Sequence, residues 1–71
     1  ETNMEEYYDV FHRTWWRENP AWPNGLEPCP GKRTYLARHV TYADSQEIVN
    51  NYRRTHPPGR LSRKAEIERV K

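Results

Sequence analysis

The chain has little of what a catalytic, membrane or disulfide-linked protein requires. Its 71 residues include one Cys and three Gly, and no long apolar run occurs. One Cys excludes an internal disulfide framework, and the short apolar runs exclude a transmembrane helix. The glycines are too far apart for a phosphate-binding loop. A chain of this length forms one domain, so we expect residues 1–71 to be a single domain with frayed ends at 1–3 and 69–71.

Residues suited to metal binding or covalent catalysis are few and badly spaced. The candidates are Cys29, His12, His39 and His56, and their spacings match no zinc-binding pattern. A Cys–His pair forms the nucleophile of some enzymes, but Cys29 lies between two prolines in a predicted loop. We therefore expect no metal, no cofactor and no catalytic residue, and a protein that is not an enzyme.

Aromatic residues are abundant although apolar residues are not. Three Trp, five Tyr and one Phe occur in a chain that is only 34% hydrophobic. Disordered chains are poor in aromatics, so these rings indicate a folded domain. A small core hides only some of them, and we expect half to form the core and the others to bind a protein partner. The predicted partner-binding residues are Tyr8, Val10, Phe11, Trp15, Trp16 and Trp22.

Charge divides the chain into an acidic part and a basic part. Residues 1–30 hold six acids and two bases, whereas residues 31–71 hold ten bases and four acids. Five of the bases follow one another without an intervening acid, namely Arg53, Arg54, Arg60, Arg63 and Lys64. This run predicts a contact with DNA, RNA or an acidic protein surface. The alternative is a solvated surface that only keeps the protein in solution.

Segment 4–16 is compatible with two structures. One stripe of a helix would hold Met4, Tyr7, Tyr8, Phe11 and Trp15. The same segment is rich in aromatic and β-branched residues, which favour a strand. We predict the strand, with Tyr7, Phe11 and Trp15 on one face and Tyr8, Val10, His12 and Trp16 on the other.

The remaining segments predict a mixed fold. Residues 19–31 contain four prolines and an Asn24–Gly25 turn, so we expect a loop without helix or strand. Residues 33–41 predict a strand that pairs antiparallel with the first one. A helix follows from the N-cap Thr41 and ends at Pro57-Pro58-Gly59. Residues 61–70 fit an edge strand or a short helix capped by Ser62, and the whole predicts an α+β fold, a small antiparallel sheet of two or three strands with one helix packed on it.

Two stretches resemble a known family. They are Trp15–Pro28, which reads WWRENPAWPNGLEP, and Thr55–Glu68, which reads THPPGRLSRKAEIE. In these stretches the chain resembles the small transcription regulators of tailed bacteriophages, of the lytic Xanthomonas phage type. The resemblance implies a non-enzymatic factor of the host bacterial cytoplasm that binds host RNA polymerase, inhibits transcription initiation and acts in antitermination. The basic run adds DNA or RNA as a further contact, and we expect a monomer with no membrane partner.

Overall fold

The computed structural model describes residues 6–71. Its strands are β1 (Tyr8–Arg13), β2 (Trp16–Glu18), β3 (Leu26–Pro28), β4 (Thr34–Val40) and β5 (Lys64–Arg69), and its helix is α1 (Tyr42–Thr55). Three strands form an antiparallel sheet in the order β4-β1-β5, and β2 pairs with β3 in a separate hairpin. The helix packs on the three-stranded sheet, so the predicted α+β fold is confirmed.

β1 is the central strand of the sheet, which decides between the two structures predicted for segment 4–16. Antiparallel neighbours pair with it on both sides, and the predicted pairing with segment 33–41 is confirmed by β4. Successive side chains of a strand point to opposite faces, and the neighbours Val10 and Phe11 are both buried. The sheet is therefore covered on both faces. Met4 and the expected frayed end at 1–3 lie outside the described residues.

β4 contains two bulges where it pairs with β1. Tyr8 pairs with Val40 and Phe11 pairs with Tyr35, so the segment of β4 between these two pairs is two residues longer than the segment of β1 opposite it. In one bulge His39 has a left-handed backbone with a φ of 58°, and its N–H donates to Asp9 Oδ1 at 3.0 Å. A carboxylate thus replaces a missing ladder bond. Bulges bend and twist a strand, and beyond this one Val40 packs against the core.

The helix α1 begins and ends where its sequence predicts. Thr41 is the N-cap, and its Oγ1 accepts a hydrogen bond from the N–H of Asp44 at 3.2 Å. His56 is the C-cap and precedes the two prolines that prevent further helix. Asp44 in the first turn and the two arginines in the last turn both match the helix dipole. The predicted helix is therefore confirmed together with its cap.

The hydrophobic core lies between α1 and one face of the sheet. It contains Val10 of β1, Ala65 of β5, and Val49 and Tyr52 of α1. Partly buried Ala37, Val40, Ile48 and Ile67 surround it. A single helix covers only one face of a sheet, so the opposite face, which carries Phe11, needs a different cover.

β5 resolves the ambiguity of segment 61–70 in favour of the edge strand. Lys64–Arg69 pairs antiparallel with β1 along its whole length. Ser62 does not cap a helix, because it has a φ of 55° and lies in a turn in which its N–H donates to Gly59 O at 3.2 Å. Arg69 belongs to the strand, and the N–H of Val70 donates to Tyr7 O at 2.8 Å. Pairing therefore continues into the segment 69–71 for which we expected fraying.

The hairpin β2–β3 corrects the prediction that segment 19–31 contains no strand. Leu26–Pro28 pairs antiparallel with Trp16–Glu18. Pro28 is the last residue of its strand, and proline is tolerated at strand ends and sheet edges because no interior ladder bond is lost there. The connecting loop is closed by the N–H of Asn19, which donates to Gly25 O at 2.9 Å. Gly25 has a φ of 75°, a conformation that favours glycine.

Within residues 6–71 the hairpin packs on neither the helix nor the three-stranded sheet. Loop hydrogen bonds join it to the rest of the fold. The N–H groups of Trp15 and Trp16 both donate to Leu61 O, at 3.1 and 3.2 Å, and the N–H of Cys29 donates to Trp15 O at 3.0 Å. The Cα atoms extend over 55 Å along the longest axis and 14 Å along the shortest. The hairpin is therefore one end of a flat, elongated molecule.

Gly31 lies where the hairpin joins the sheet, and we predict that it tolerates no side chain. A Cβ at this position would lie 2.7 Å from Thr14 Oγ1, and the N–H of Gly31 donates to Thr14 O at 2.8 Å. We expect Gly31→Ala to lower the free energy of unfolding in urea by about 1–3 kcal/mol, the usual cost of overpacking. Thr14→Ala should restore most of that loss in the double variant. An equal loss in the double variant would contradict the steric cause.

Candidate binding groove and hairpin surface

The sheet face opposite the helix is covered by guanidinium groups. Arg33 Cζ lies 4.2 Å from the centre of the Phe11 ring and Arg13 Cζ lies 5.6 Å from it, while the Tyr35 ring packs at 5.7 Å. Phe11 is only 2% exposed and Val10 is fully buried. Neither side chain is available to a partner in this fold, so both leave the set of predicted partner-binding residues. Both are buried because each face of this central strand is covered, the Val10 face by α1 and the Phe11 face by Arg13, Arg33 and Tyr35.

Ion pairs hold these guanidinium groups in place. Arg13 binds Glu66 through two hydrogen bonds, from Nε at 2.9 Å and from Nη2 at 3.1 Å. Arg33 binds Glu68, and this hydrogen bond raises the pKa of the Arg33 guanidinium. The charges of both arginines are therefore balanced by β5, whereas Arg38, whose Cζ lies 3.7 Å from the centre of the Tyr35 ring, forms no ion pair with a carboxylate among the described residues.

A groove lined in part by Trp15 lies between the end of α1 and the start of β5. It has a volume of about 710 Å³ and is open to solvent. We call it the basic groove. Its lining residues are Trp15, Tyr52, Arg53, His56, Pro58, Arg63, Lys64, Ala65 and Glu66.

Four separate segments position the cations and the indole of the basic groove. Arg53 belongs to the last turn of α1, and Lys64 is the first residue of β5. Arg63 precedes β5 in a turn closed by its N–H, which donates to Pro58 O at 2.9 Å. Trp15 lies between β1 and β2, held by its backbone bond to Leu61. The groove exists only because the sheet brings residue 15 beside residues 63–66.

The basic groove has a positive charge that its own residues do not neutralise. Glu66 is the only acid among the described residues that line it, and Arg13 already binds that carboxylate. Among the described residues, neither Arg53, Arg63 nor Lys64 forms an ion pair with a carboxylate. Arg63 Nη1 instead donates to His12 Nδ1 at 3.0 Å. Three cations therefore remain for an anionic ligand.

Tyr52 and His56, which line the basic groove, belong to a stack of three rings whose third member, His12, is not among the lining residues. The rings of His12 and Tyr52 stack with centres 5.1 Å apart, and those of Tyr52 and His56 stack at 4.3 Å with planes only 6° apart. His56 Nδ1 is hydrogen-bonded to Thr55 Oγ1 at 2.8 Å. Burial, and then the nearby positive charge of Arg63, lower the pKa of His12 below its ordinary value. The folded state therefore favours a neutral His12 that accepts from Arg63.

Of the five predicted basic residues, Arg53, Arg63 and Lys64 come together in the basic groove. Arg54 is next to Arg53 but donates to Asn51 on the surface of the helix. Consecutive helical residues point about 100° apart, which explains the separation. Arg60 leaves the set because it reaches the hairpin and binds Glu18 at 2.5 Å.

The predicted aromatic residues lie in three different places. Trp16 and Trp22 are exposed on the hairpin. Trp15 lines the basic groove, with Arg13 Cζ 4.2 Å from its ring centre. Tyr8 packs edge to face on Tyr42 at 5.3 Å, and its hydroxyl donates to Glu6 Oε1 at 2.9 Å.

Sequence reasoning missed several residues that the structure places in these surfaces. His12 and Tyr52 belong to the ring stack, and the spacing of Tyr52 and His56, four residues apart on a helix, is the signal that predicts their contact. The contact of His12 with this pair depends on the packing of α1 on β1 and has no local signal. Exposed Tyr35, Leu36 and Tyr42 were also not among the predicted surface residues.

Other kinds of site find no support in residues 6–71. No three His, Cys, Asp or Glu side chains lie close enough to hold a metal ion in this part of the chain. None of its helices is long and apolar enough to cross a membrane. The chain matches no protein-family model, no curated protein and no solved structure.

The lowered pKa of His12 predicts a pH dependence of stability. A histidine that resists protonation when folded stabilises the fold fully above its ordinary pKa of 6.5. That contribution is lost as the pH falls below this value, because the unfolded chain then binds more protons. We expect the free energy of unfolding in urea to fall more steeply between about pH 7 and pH 5 for the unmodified chain than for His12→Gln. Equal slopes in the two proteins would contradict this role of His12.

Proposed function

We propose that the chain is a non-enzymatic binding protein, a phage-encoded regulator that binds host RNA polymerase in the bacterial cytoplasm and acts as a monomer. It would inhibit transcription initiation and act in antitermination. The observation that supports this most is the pair of exposed indoles on the hairpin, Trp16 at 36% and Trp22 at 43% exposure. The family resemblance falls on the same hairpin, since its first stretch is Trp15–Pro28.

The hairpin is suited to protein recognition because it is held in shape before any partner arrives. Arg17 binds Glu27 across the two strands at 2.8 Å, and Asn19 Nδ2 donates to the same carboxylate at 2.9 Å. These contacts lower the pKa of Glu27, the bond from Arg17 contributing most. Tryptophans on a rigid support lose little conformational entropy on binding, and they are enriched among the residues that dominate protein interfaces.

The mechanism is steric competition. Exposed indoles that insert into a polymerase surface would exclude another factor from the same surface, without any chemical step. Only the buried centre of such an interface contributes strongly to affinity. A projecting hairpin brings two indoles to a partner while the sheet stays outside the contact.

Removing the hairpin indoles tests this proposal. We expect Trp16→Ala or Trp22→Ala to weaken binding to purified bacterial RNA polymerase by about 2 kcal/mol, a roughly thirtyfold rise in Kd measured by calorimetry. Leu36→Ala is the matched control, because Leu36 is similarly exposed at 38% but lies on β4. Unchanged binding of both tryptophan variants, or no polymerase binding by the unmodified chain, would contradict the proposal.

The basic groove supports a second function, a contact with DNA or RNA. The supporting observation is that Arg53, Arg63 and Lys64 converge without carboxylate partners. Each neutralised phosphate of a single strand lowers the slope of log K against log salt by about 0.7. Three contacts therefore predict a slope of about −2.

Arg53 and Arg54 form a matched pair for this test, since they are neighbours of equal charge and only Arg53 lines the groove. We expect Arg53→Gln to reduce the magnitude of the salt slope by about 0.7, whereas Arg54→Gln leaves it unchanged. The measurement is the fluorescence anisotropy of a labelled oligonucleotide at several salt concentrations. Equal effects of the two substitutions would indicate an unspecific contact with the whole basic half of the chain.

A further inference from the structure

We propose that the basic groove is a binding site for single-stranded nucleic acid, in which an unpaired base stacks on the indole of Trp15 and the flanking phosphates bind Arg53, Arg63 and Lys64. This inference rests on the second function proposed above and specifies its ligand. It is carried by the juxtaposition of an aromatic wall and unpaired cations in one groove of about 710 Å³.

The composition of the groove favours a ligand that is flat and apolar as well as anionic. Beside its cations, the groove is lined by Trp15, Tyr52 and His56 and by the apolar Pro58 and Ala65. Proteins that bind single strands combine these two features, a positively charged groove and aromatic side chains on which bases stack. A base inside a duplex has both faces covered by its neighbours. Only an unpaired base has a free face for the indole.

Trp15 is already held in position for stacking. Arg13 Cζ lies 4.2 Å from its ring centre, and Arg13 is itself held by two hydrogen bonds to Glu66. The backbone N–H of Trp15 is also fixed by its bond to Leu61 O. An indole with a fixed orientation loses little rotamer freedom when a ligand arrives, which favours binding.

The phosphate contacts are placed on three different segments around the rings. Arg53 comes from α1, Arg63 from the preceding turn and Lys64 from β5. An acidic protein segment would satisfy these cations but would leave the rings without a stacking partner. The aromatic lining therefore favours nucleic acid over an acidic protein, and an acidic peptide serves as a competitor in the test.

Trp15 itself provides the readout. In the double variant Trp16→Phe/Trp22→Phe it is the only tryptophan left, so the indole fluorescence reports on the groove alone. The probe is an end-labelled DNA single strand of about 12 nucleotides, within the site sizes of single-strand binders. Anisotropy of the label measures binding, and quenching of the indole measures stacking. The same strand in a duplex, an abasic strand of equal length and a polyglutamate peptide are the comparisons.

We expect the single strand to bind and to quench the indole. The abasic strand, which keeps the phosphates, should bind about five- to a hundredfold more weakly and quench little, since a stacked base contributes this much. The duplex should bind more weakly than the single strand. The single strand and the abasic strand differ only in their bases, and all ligands are compared on the same folded protein.

The other possible results contradict the stacking of a base, the choice of nucleic acid as the ligand, or the nucleic-acid contact as a whole. Binding of single strand, duplex and abasic strand with equal affinity and no quenching would overturn the stacking inference and leave the electrostatic contact in place. Polyglutamate that competes as strongly as the single strand would assign the groove to an acidic protein. No binding of any polyanion at low salt would overturn both this inference and the second function.

Discussion

The contact between Phe11 and the guanidinium groups of Arg13 and Arg33 is the interaction on which the arrangement depends. A three-stranded sheet has two faces, and one helix covers only one of them. Within residues 6–71 the second face has no further helix or sheet to cover it. Guanidinium groups can cover this face because they pack flat on an aromatic ring while their N–H groups still donate hydrogen bonds to water or a carboxylate.

This cover decides which charges remain for a partner. Arg13 and Arg33 are balanced by Glu66 and Glu68 of β5, so their charges are not free to bind a partner. Among the described cations that have no carboxylate partner, Arg53, Arg63 and Lys64 come together at the end of α1 and the start of β5. Arg13 also connects the two regions, since it contacts both Phe11 and Trp15. The covered face and the basic groove therefore share one side chain.

Trp15 and Trp16 mark the border between the two candidate surfaces. One indole lines the basic groove and the next belongs to the hairpin, and the backbone of both is fixed by Leu61. The two proposed functions use different residues and are for that reason compatible in a single complex.

The sequence by itself determined the elements whose signals are local, the Thr41 cap and the end of α1 before Pro57, and it favoured a strand around Val10 without excluding a helix. Local signals also selected three residues of the basic groove, because clustered cations are visible in the chain. Only the tertiary structure decided which cations of the basic run keep their charge free: Arg60 binds Glu18, which lies 42 residues away in the chain, whereas Arg63 has no carboxylate partner among the described residues. The burial of Phe11 likewise depends on sheet pairing, and the stack of His12 on Tyr52 depends on the packing of α1 on β1. Contacts between residues far apart in the chain leave no periodic pattern, and for that physical reason the sequence alone did not predict them.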